Sequence, residues 1–566
     1  MIVQTASSPL FAPDLVFDSN SRPWAAWIRH EGGRDEVVVL QIDREKAWIV
    51  NGPGLPGALS PKLLVSSDGD VWVIWTGRST GHDRIYSSRL VEDAWSAPLA
   101  IPSDARYPQI SPSACLDTGG RPCVVWSGYD GNDYEIFTSS WTGSAWTGPG
   151  RITDNTDADL NPVAAFVPGA GITAFWSKSA LRGHAVAAAI RTDGGWTGET
   201  VIGEFRKNPV RSLGLAASGG RIGLSWTSGD ETFSRVGGAW EILESAGGVP
   251  RGSGKRTEPP PFNPNRDENQ YTTFGDSITY AEGHGYQASL EARLISKFGA
   301  ARIWNEGFGG ETTAEGLVRI DTAIAAHPSR YLLLMEGAND VIFLDISMES
   351  AAFDLEEMAR RAMRAGMLPL IVTIIPRNDW RWTTAPFQSR IIELNGRIRE
   401  LAEILRIPLV DMYEAFFSYP KSQGGWQALL LLDDGVHPNA VGFEVMAGAW
   451  FGGIVVLPFP PVNIRAARAI NKILFRRQAG NILLWRNSSK LDPTGIIAYR
   501  IYRKGPADAA FPAAYLAAIP FQRTALEFRF FDSTIDIKRV YEYVITALRA
   551  DGVEGPCSDI ARDDIY

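Results

Sequence analysis

Five tryptophans recur at nearly equal intervals in the first half of this 566-residue chain: Trp27, Trp75, Trp126, Trp176 and Trp226, spaced 48, 51, 50 and 50 residues apart. Each closes a short apolar run: WAAW, WVIW, CVVW, TAFW and GLSW. A second series trails the first, at Trp48, Trp95, Trp146, Trp196 and Trp240. Fourteen residues before the first-series tryptophan stand Pro13, Pro61, Pro112 and Pro162, and in the fifth copy Ser212. A period of about 50 residues, made of short strand-like runs and Gly/Asp/Ser turns, means a repeated small sheet. One such sheet cannot bury both faces, whereas radial stacking buries them and shields the edges. Residues 1–245 are therefore predicted to form a five-bladed β-propeller, with Ile2–Thr5 pairing into the last blade to close the ring.

Residues 246–269 lose the period and are dominated by Gly, Pro and charge, which predicts a linker. From 270 to 457 the pattern alternates. Strand-like runs at 271–274, 301–304, 331–335, 368–375 and 407–412 are separated by helical stretches at 286–298, 312–326, 348–365 and 387–405. In the last stretch Phe387, Ile391, Leu394, Ile398, Leu401 and Ile404 recur at threes and fours, one amphipathic stripe. Such alternation predicts a three-layer, doubly wound parallel sheet of flavodoxin-like type, helices covering both faces. Residues 458–566 return to aromatic and β-branched runs, which predict a β-sandwich. With Trp485, Tyr499, Tyr502, Tyr541 and Tyr543 at core and corner positions, this segment is similar to a fibronectin type III module.

Composition narrows the function. The formal charge of −9 argues against a generic nucleic-acid or anionic-membrane binder. No run approaches the ~20 apolar residues of a membrane span. The N-terminus has neither a basic start nor a long apolar run, so the sequence as given reads as cytoplasmic, or as secreted if a leader was removed. Cys115, Cys123 and Cys557 make no disulfide framework and no zinc spacing, although one bridge between the first two is possible. No metal or organic cofactor is expected, and oligomeric state is not legible.

The chemistry concentrates in the middle segment. Its first strand ends in FGDSIT (274–279), which puts Ser277 just past a strand tip, where open α/β sheets bind ligands. NEGFGGETT (305–313) follows the second strand, EGANDV (336–341) the third, and DDGVHPN (433–439) stands near the end. Among the six histidines, His30, His82, His184, His284, His327 and His437, only His437 has an aspartate three residues upstream in a Gly-Val-His-Pro turn. Two other patterns are decoys. Gly77–Gly81 fits G-x-S-x-G without a strand-to-helix elbow. Gly52–Gly57 fits G-x-G-x-x-G but carries prolines and no following helix.

Taken together and in this order, the four blocks resemble the SGNH (GDSL) hydrolase family over about 190 residues. The resemblance implies Ser277 as nucleophile, His437 as general base and Asp434 as its partner. It also implies oxyanion donors at the Ser277 backbone N–H, Gly310 and Asn339. Gly310 is preferred over Gly309 for its place before Glu311-Thr312, and Asp434 over Asp433 for its spacing to His437. The implied activity is a serine esterase working through an acyl-enzyme. The flanking β domains suggest a short-acyl, O-acetyl carbohydrate ester as the substrate, and that these domains bind substrate or partner. Trp380 and Trp382, after the fourth strand, are candidate substrate-binding residues. The alternatives are a lysophospholipase- or thioesterase-like enzyme, and a glycan-binding protein whose hydrolase domain is inactive.

Overall fold

The computed structural model describes residues 10–563 apart from 32–33, 79–80, 181–182, 193, 230, 245–262, 264–265, 344, 379–386, 474–475, 506–513 and 537. The segment Ile2–Thr5, Trp380 and Trp382 lie outside the described residues.

Leu10 to Gly238 folds as five successive antiparallel sheets of three to five strands, one per sequence repeat. Each sheet opens on a strand that carries a β-bulge: Leu10–Phe17, Gly57–Val65, Gln109–Leu116, Ala158–Val167 and Val210–Ser218. The bulge explains the period. In every sheet two residues of the opening strand face a single residue of the next strand, and that residue is the first-series tryptophan. The first of the two has positive φ: Ala12, Ser60, Ser111, Asn161 and Ser212, at 51–55°. Four of the five are followed by proline, which has no N–H to offer the interrupted ladder. Counting back from tryptophan aligned Ser212 with the prolines. The structure shows instead that Ser212 is the positive-φ residue and that Leu213 takes the proline's place. The five opening strands surround one cavity of about 520 Å³, whose far wall is supplied by Ala314, Phe343 and Asp354. Cys115 and Cys123 face each other across one hairpin as free thiols.

The middle segment opens at Asp267, three residues before the alternation was read to begin. Its strands are β1 (Asp267–Gly275), β2 (Arg302–Gly307), β3 (Ser329–Met335), β4 (Leu368–Val372) and β5 (Leu409–Val410), all parallel, in the order β2-β1-β3-β4-β5. Its helices include α1 (Ser277–Tyr280), α2 (Gln287–Phe298), α3 (Thr313–Ala326), α4 (Met348–Arg364), α5 (Phe387–Leu405), α6 (Met412–Phe417) and α7 (Ala440–Val455). Leu290, Leu294, Met446, Trp450 and Ile454 of α2 and α7 cover one face of the sheet. Leu317, Leu355, Ile391 and Leu394 of α3, α4 and α5 cover the other. Helix starts are capped as the sequence allows: Thr312 and Glu315 form a capping box, and Ser347 and Asn439 accept from the first turns of α4 and α7. Helix α7 has no counterpart among the stretches read from sequence. AVGFEVMAGAWFGGIV is apolar almost all round, so it lacks the 3.6-residue period that marks a helix.

The C-terminal segment forms two antiparallel sheets of three and four strands. Trp485 and Tyr499, both fully buried, meet edge to face between them.

Candidate active site

The turn between β1 and α1 sets the first candidate side chain. Gly275 is required there: a Cβ would lie 1.9 Å from the Met335 carbonyl oxygen, because the ends of β1 and β3 close on each other. Asp276 caps α1, its Oδ1 accepting from the Ile278 N–H at 2.9 Å and its Oδ2 from the Ala338 N–H at 3.3 Å. That carboxylate joins the β1 turn to the β3 tip. Burial pushes Asp276 up to about 6 despite both bonds.

Ser277 follows, and its hydroxyl lies 2.8 Å from His437 Nε2. His437 Nδ1 lies 2.6 Å from Asp434 Oδ2. The other Asp434 oxygen accepts from the Val436 and His437 N–H groups at 2.7 and 3.0 Å, so one side chain shapes the turn and holds the ring. Burial raises the Asp434 carboxyl, but these bonds outweigh it and leave it below the usual range. Of the two neighbouring aspartates, Asp434 is the one on the imidazole. The turn is anchored by Asn378, whose N–H donates to the Gly435 carbonyl at 2.6 Å.

Asn339 stands at the tip of β3, and its Nδ2 donates to the Glu311 carbonyl at 2.7 Å. That bond uses one of two amide hydrogens and orients the other. Gly310, between β2 and α3, has φ +77°, a conformation that strains any residue with a Cβ. The loop after Asn339 is fixed from α5. The Arg390 guanidinium donates to the carbonyls of Asp340, Val341, Phe343 and Ile346 at 2.6–2.8 Å.

Behind these groups lies a buried acidic layer. Burial raises Glu311 to about 7 against its bidentate pairing with Arg319. Asp340 rises to about 6, and Glu336 stands well above the ordinary carboxylate range. Asp276, Glu311, Arg319 and Glu336 were not singled out from sequence. Asp276, Glu311 and Glu336 follow three different strands, and only the adjacency of Asp276 to Ser277 was visible. The remaining histidines are engaged elsewhere: His30 with Asp35, His82 with Glu349, His184 with Ser179 and His327 with Glu306, while His284 is exposed.

Residues 273–445 match the family model described as GDSL-like Lipase/Acylhydrolase family. A lipoprotein of Bacillus subtilis described as uncharacterized, YqeF, is 24% identical over 204 residues, 31% of this chain and 84% of that protein. The thioesterase 1/protease 1/lysophospholipase L1 of Escherichia coli K12 is 24% identical over 169 residues, 29% of this chain and 74% of that protein. Among solved structures, the lipase/acylhydrolase from Enterococcus faecalis is 26% identical with a TM-score of 0.29, covering 33% of this chain and 95% of that one. The middle segment of this chain is accordingly a hydrolase domain of GDSL type, and the protein is a carboxylic ester hydrolase.

Proposed function

We propose that Ser277 is the nucleophile of a serine esterase acting on short-acyl esters of carbohydrates. One observation carries the reading: Ser277 Oγ, the His437 ring and the Asp434 carboxylate stand in a continuous hydrogen-bonded row at 2.8 and 2.6 Å. A serine hydroxyl attacks well only when a base removes its proton as the bond forms. In this reading Ser277 Oγ adds to the ester carbonyl and His437 Nε2 takes its proton. Asp434 holds the ring in the tautomer with Nδ1 protonated and stabilises the imidazolium. The tetrahedral oxyanion is met by the backbone N–H groups of Ser277 and Gly310 and by Asn339 Nδ2. The imidazolium returns its proton to the departing alcohol, and water repeats the cycle on the acyl-serine.

Side-chain exposure of 38% at His437 and 37% at Asp434 leaves room for a bulky, hydrophilic alcohol, which supports a glycan ester. The five N-terminal sheets are read as a five-bladed propeller and the C-terminal sheets as a fibronectin type III-like sandwich. A second reading, a lysophospholipase- or thioesterase-like enzyme, is favoured by exposed Leu431 and fully exposed Leu432 beside the His437 turn. Turnover of p-nitrophenyl acetate, of longer acyl esters and of acetylated xylan separates the two. Preference for the acetylated polymer supports the first reading, and preference for acyl chains of eight carbons or more supports the second. Hydrolysis undiminished in Ser277→Ala overturns both.

A further inference from the structure

The fifth sheet breaks the repeat at one position. The residue just before the positive-φ bulge residue is Phe11, Leu59, Ile110 and Leu160 in the first four sheets, and Arg211 in the fifth. In the third and fourth sheets, Ile110 and Leu160 join the apolar core that also holds Leu317 and Leu355 of α3 and α4. The fifth sheet meets the loop that carries Gly310.

Arg211 makes four hydrogen bonds, three of them to Glu315 and Gly310. One terminal nitrogen donates to Glu315 Oε1 at 2.6 Å and to the Val210 carbonyl at 3.0 Å. The other pairs with Glu315 Oε2 and donates to the Gly310 carbonyl at 3.1 Å. Its guanidinium also lies 4.9 Å from the centre of the Phe343 ring, in the loop that follows Asn339. Glu315 in turn accepts from the Thr312 N–H and hydroxyl, both at 2.9 Å, and from the Ser179 hydroxyl at 3.3 Å. One cation from the N-terminal sheets therefore pins both ends of Gly310-Glu311-Thr312 and touches the second donor-bearing loop. Asn339 holds the middle of the same segment through the Glu311 carbonyl. Burying a guanidinium beside a 2%-exposed carboxylate side chain brings little net stability compared with the leucine or isoleucine used in the sister sheets. What the pair supplies, and an aliphatic side chain cannot, is a fixed orientation for the Gly310 peptide.

We propose that Arg211 is a positioning residue for ester hydrolysis, holding the Gly310 loop in the geometry that receives the oxyanion. The inference rests on Gly310 and Asn339 being oxyanion donors. It makes the N-terminal region part of the active site rather than a tethered accessory.

The test uses the full chain and p-nitrophenyl acetate. Arg211→Ala is expected to lower kcat by about 10²-fold, the scale of a 1 Å misplacement, with KM changed less than threefold. Millimolar guanidinium is expected to restore part of the loss in that variant and to leave the wild type unaffected. Arg211→Lys is expected to keep an intermediate rate, since an ammonium reaches Glu315 or Gly310 but does not span both. A kcat within twofold of wild type, or a loss residing wholly in KM, overturns the proposal. If Arg211→Ala fails to fold, Glu315→Gln is read instead: a kcat-selective loss supports the proposal and a wild-type kcat overturns it. Asn339→Ala separates the two levels of the argument. An unchanged kcat there defeats the oxyanion reading itself. A fall in Asn339→Ala without one in Arg211→Ala defeats only the role of Arg211.

Discussion

The N-terminal and C-terminal regions are both antiparallel and rich in buried aromatics, and both pack on the same α/β unit, yet they meet it at different places. The N-terminal sheets lie along α4 and against the loops that leave the carboxyl ends of the strands. His82 is paired with Glu349, the Tyr134 hydroxyl donates to Asp354, Arg361 donates to the Tyr129 hydroxyl, and Arg211 reaches Glu315 and Gly310. The C-terminal sheets meet the strand starts. Lys490 Nζ donates to the Glu268 carbonyl at 2.9 Å and to Asn269 Oδ1 at 2.6 Å, and Phe459 packs edge-on to Tyr331. In an open parallel sheet chemistry happens at the carboxyl ends of the strands. Two β regions of similar make-up thus touch opposite ends of the sheet: one meets the loops around Ser277, and the other braces the strand starts. Sheet type says little about role; the end of the sheet it touches says more.

The site itself sets the scale for testing that contrast. Asp434→Asn is expected to lower kcat by about 10⁴-fold while leaving the fold intact, because the amide favours the wrong imidazole tautomer. Steady-state rates with circular dichroism check this, and a loss below tenfold transfers the role to another group. Asn339→Ala is expected to cost about 2.7–4 kcal/mol of transition-state stabilisation, about 10²–10³ in kcat. Both exceed or match what any residue of the flanking regions is expected to do.

The N-terminal contact also has a pH signature. Burial raises Glu315, but Arg211 and the capping bonds overcome it and bring the carboxyl down to about 2 from 4.5. A carboxylate depressed on folding stabilises the native state above its unfolded value and loses that contribution as pH falls toward the folded one. About 3 kcal/mol is therefore present above pH 5 and lost between about pH 4.5 and 2. The wild type minus Glu315→Gln difference in urea unfolding free energy is expected to shrink across that window. A difference constant from pH 6 to 2.5 breaks the link between Arg211 and Glu315.

Much of this was legible in the chain, unevenly. The helices α2 to α5 were readable to within a residue or two because one face of each is apolar. The motif blocks placed Ser277, Gly310 and Asn339 just after strands, and Asp434 and His437 on one turn near the end of the segment. The loops then bring Ser277, His437 and Asp434 into one hydrogen-bonded row and tie Asn339 to the segment after Gly310. Helix α7 was invisible because its sides are not different. The bulge was visible as a proline spacing, but its fifth copy slipped by one residue, so Ser212 was noticed and Arg211 beside it was not. Arg211 is detectable only by comparing the repeats with one another, since its meaning lies in breaking an apolar column. The acidic layer of Asp276, Glu311, Glu336 and Asp340 needs three dimensions: its members are set by which strand tips adjoin, and spacing carries no trace of that.

The smallest expected effect is the one that most directly opposes the two β regions. The Lys490 side chain is 7% exposed, and its ammonium lies 5.4 and 5.6 Å from the centres of the Phe298 and Phe459 rings. Lys490→Met keeps the aliphatic stem among those rings and deletes the two donated bonds, leaving the Glu268 carbonyl and Asn269 without that donor. Unmade hydrogen bonds at a buried junction cost about 1–3 kcal/mol, which a shifted urea midpoint reports. Because the lost contacts lie at the start of β1, eight residues before Ser277, kcat and KM are expected to stay within twofold of wild type. A tenfold fall in kcat in Lys490→Met, with the protein still folded, means that strain at the strand starts reaches the strand tips. The contrast between a region that shapes the site and a region that braces the sheet then fails, however Arg211 behaves.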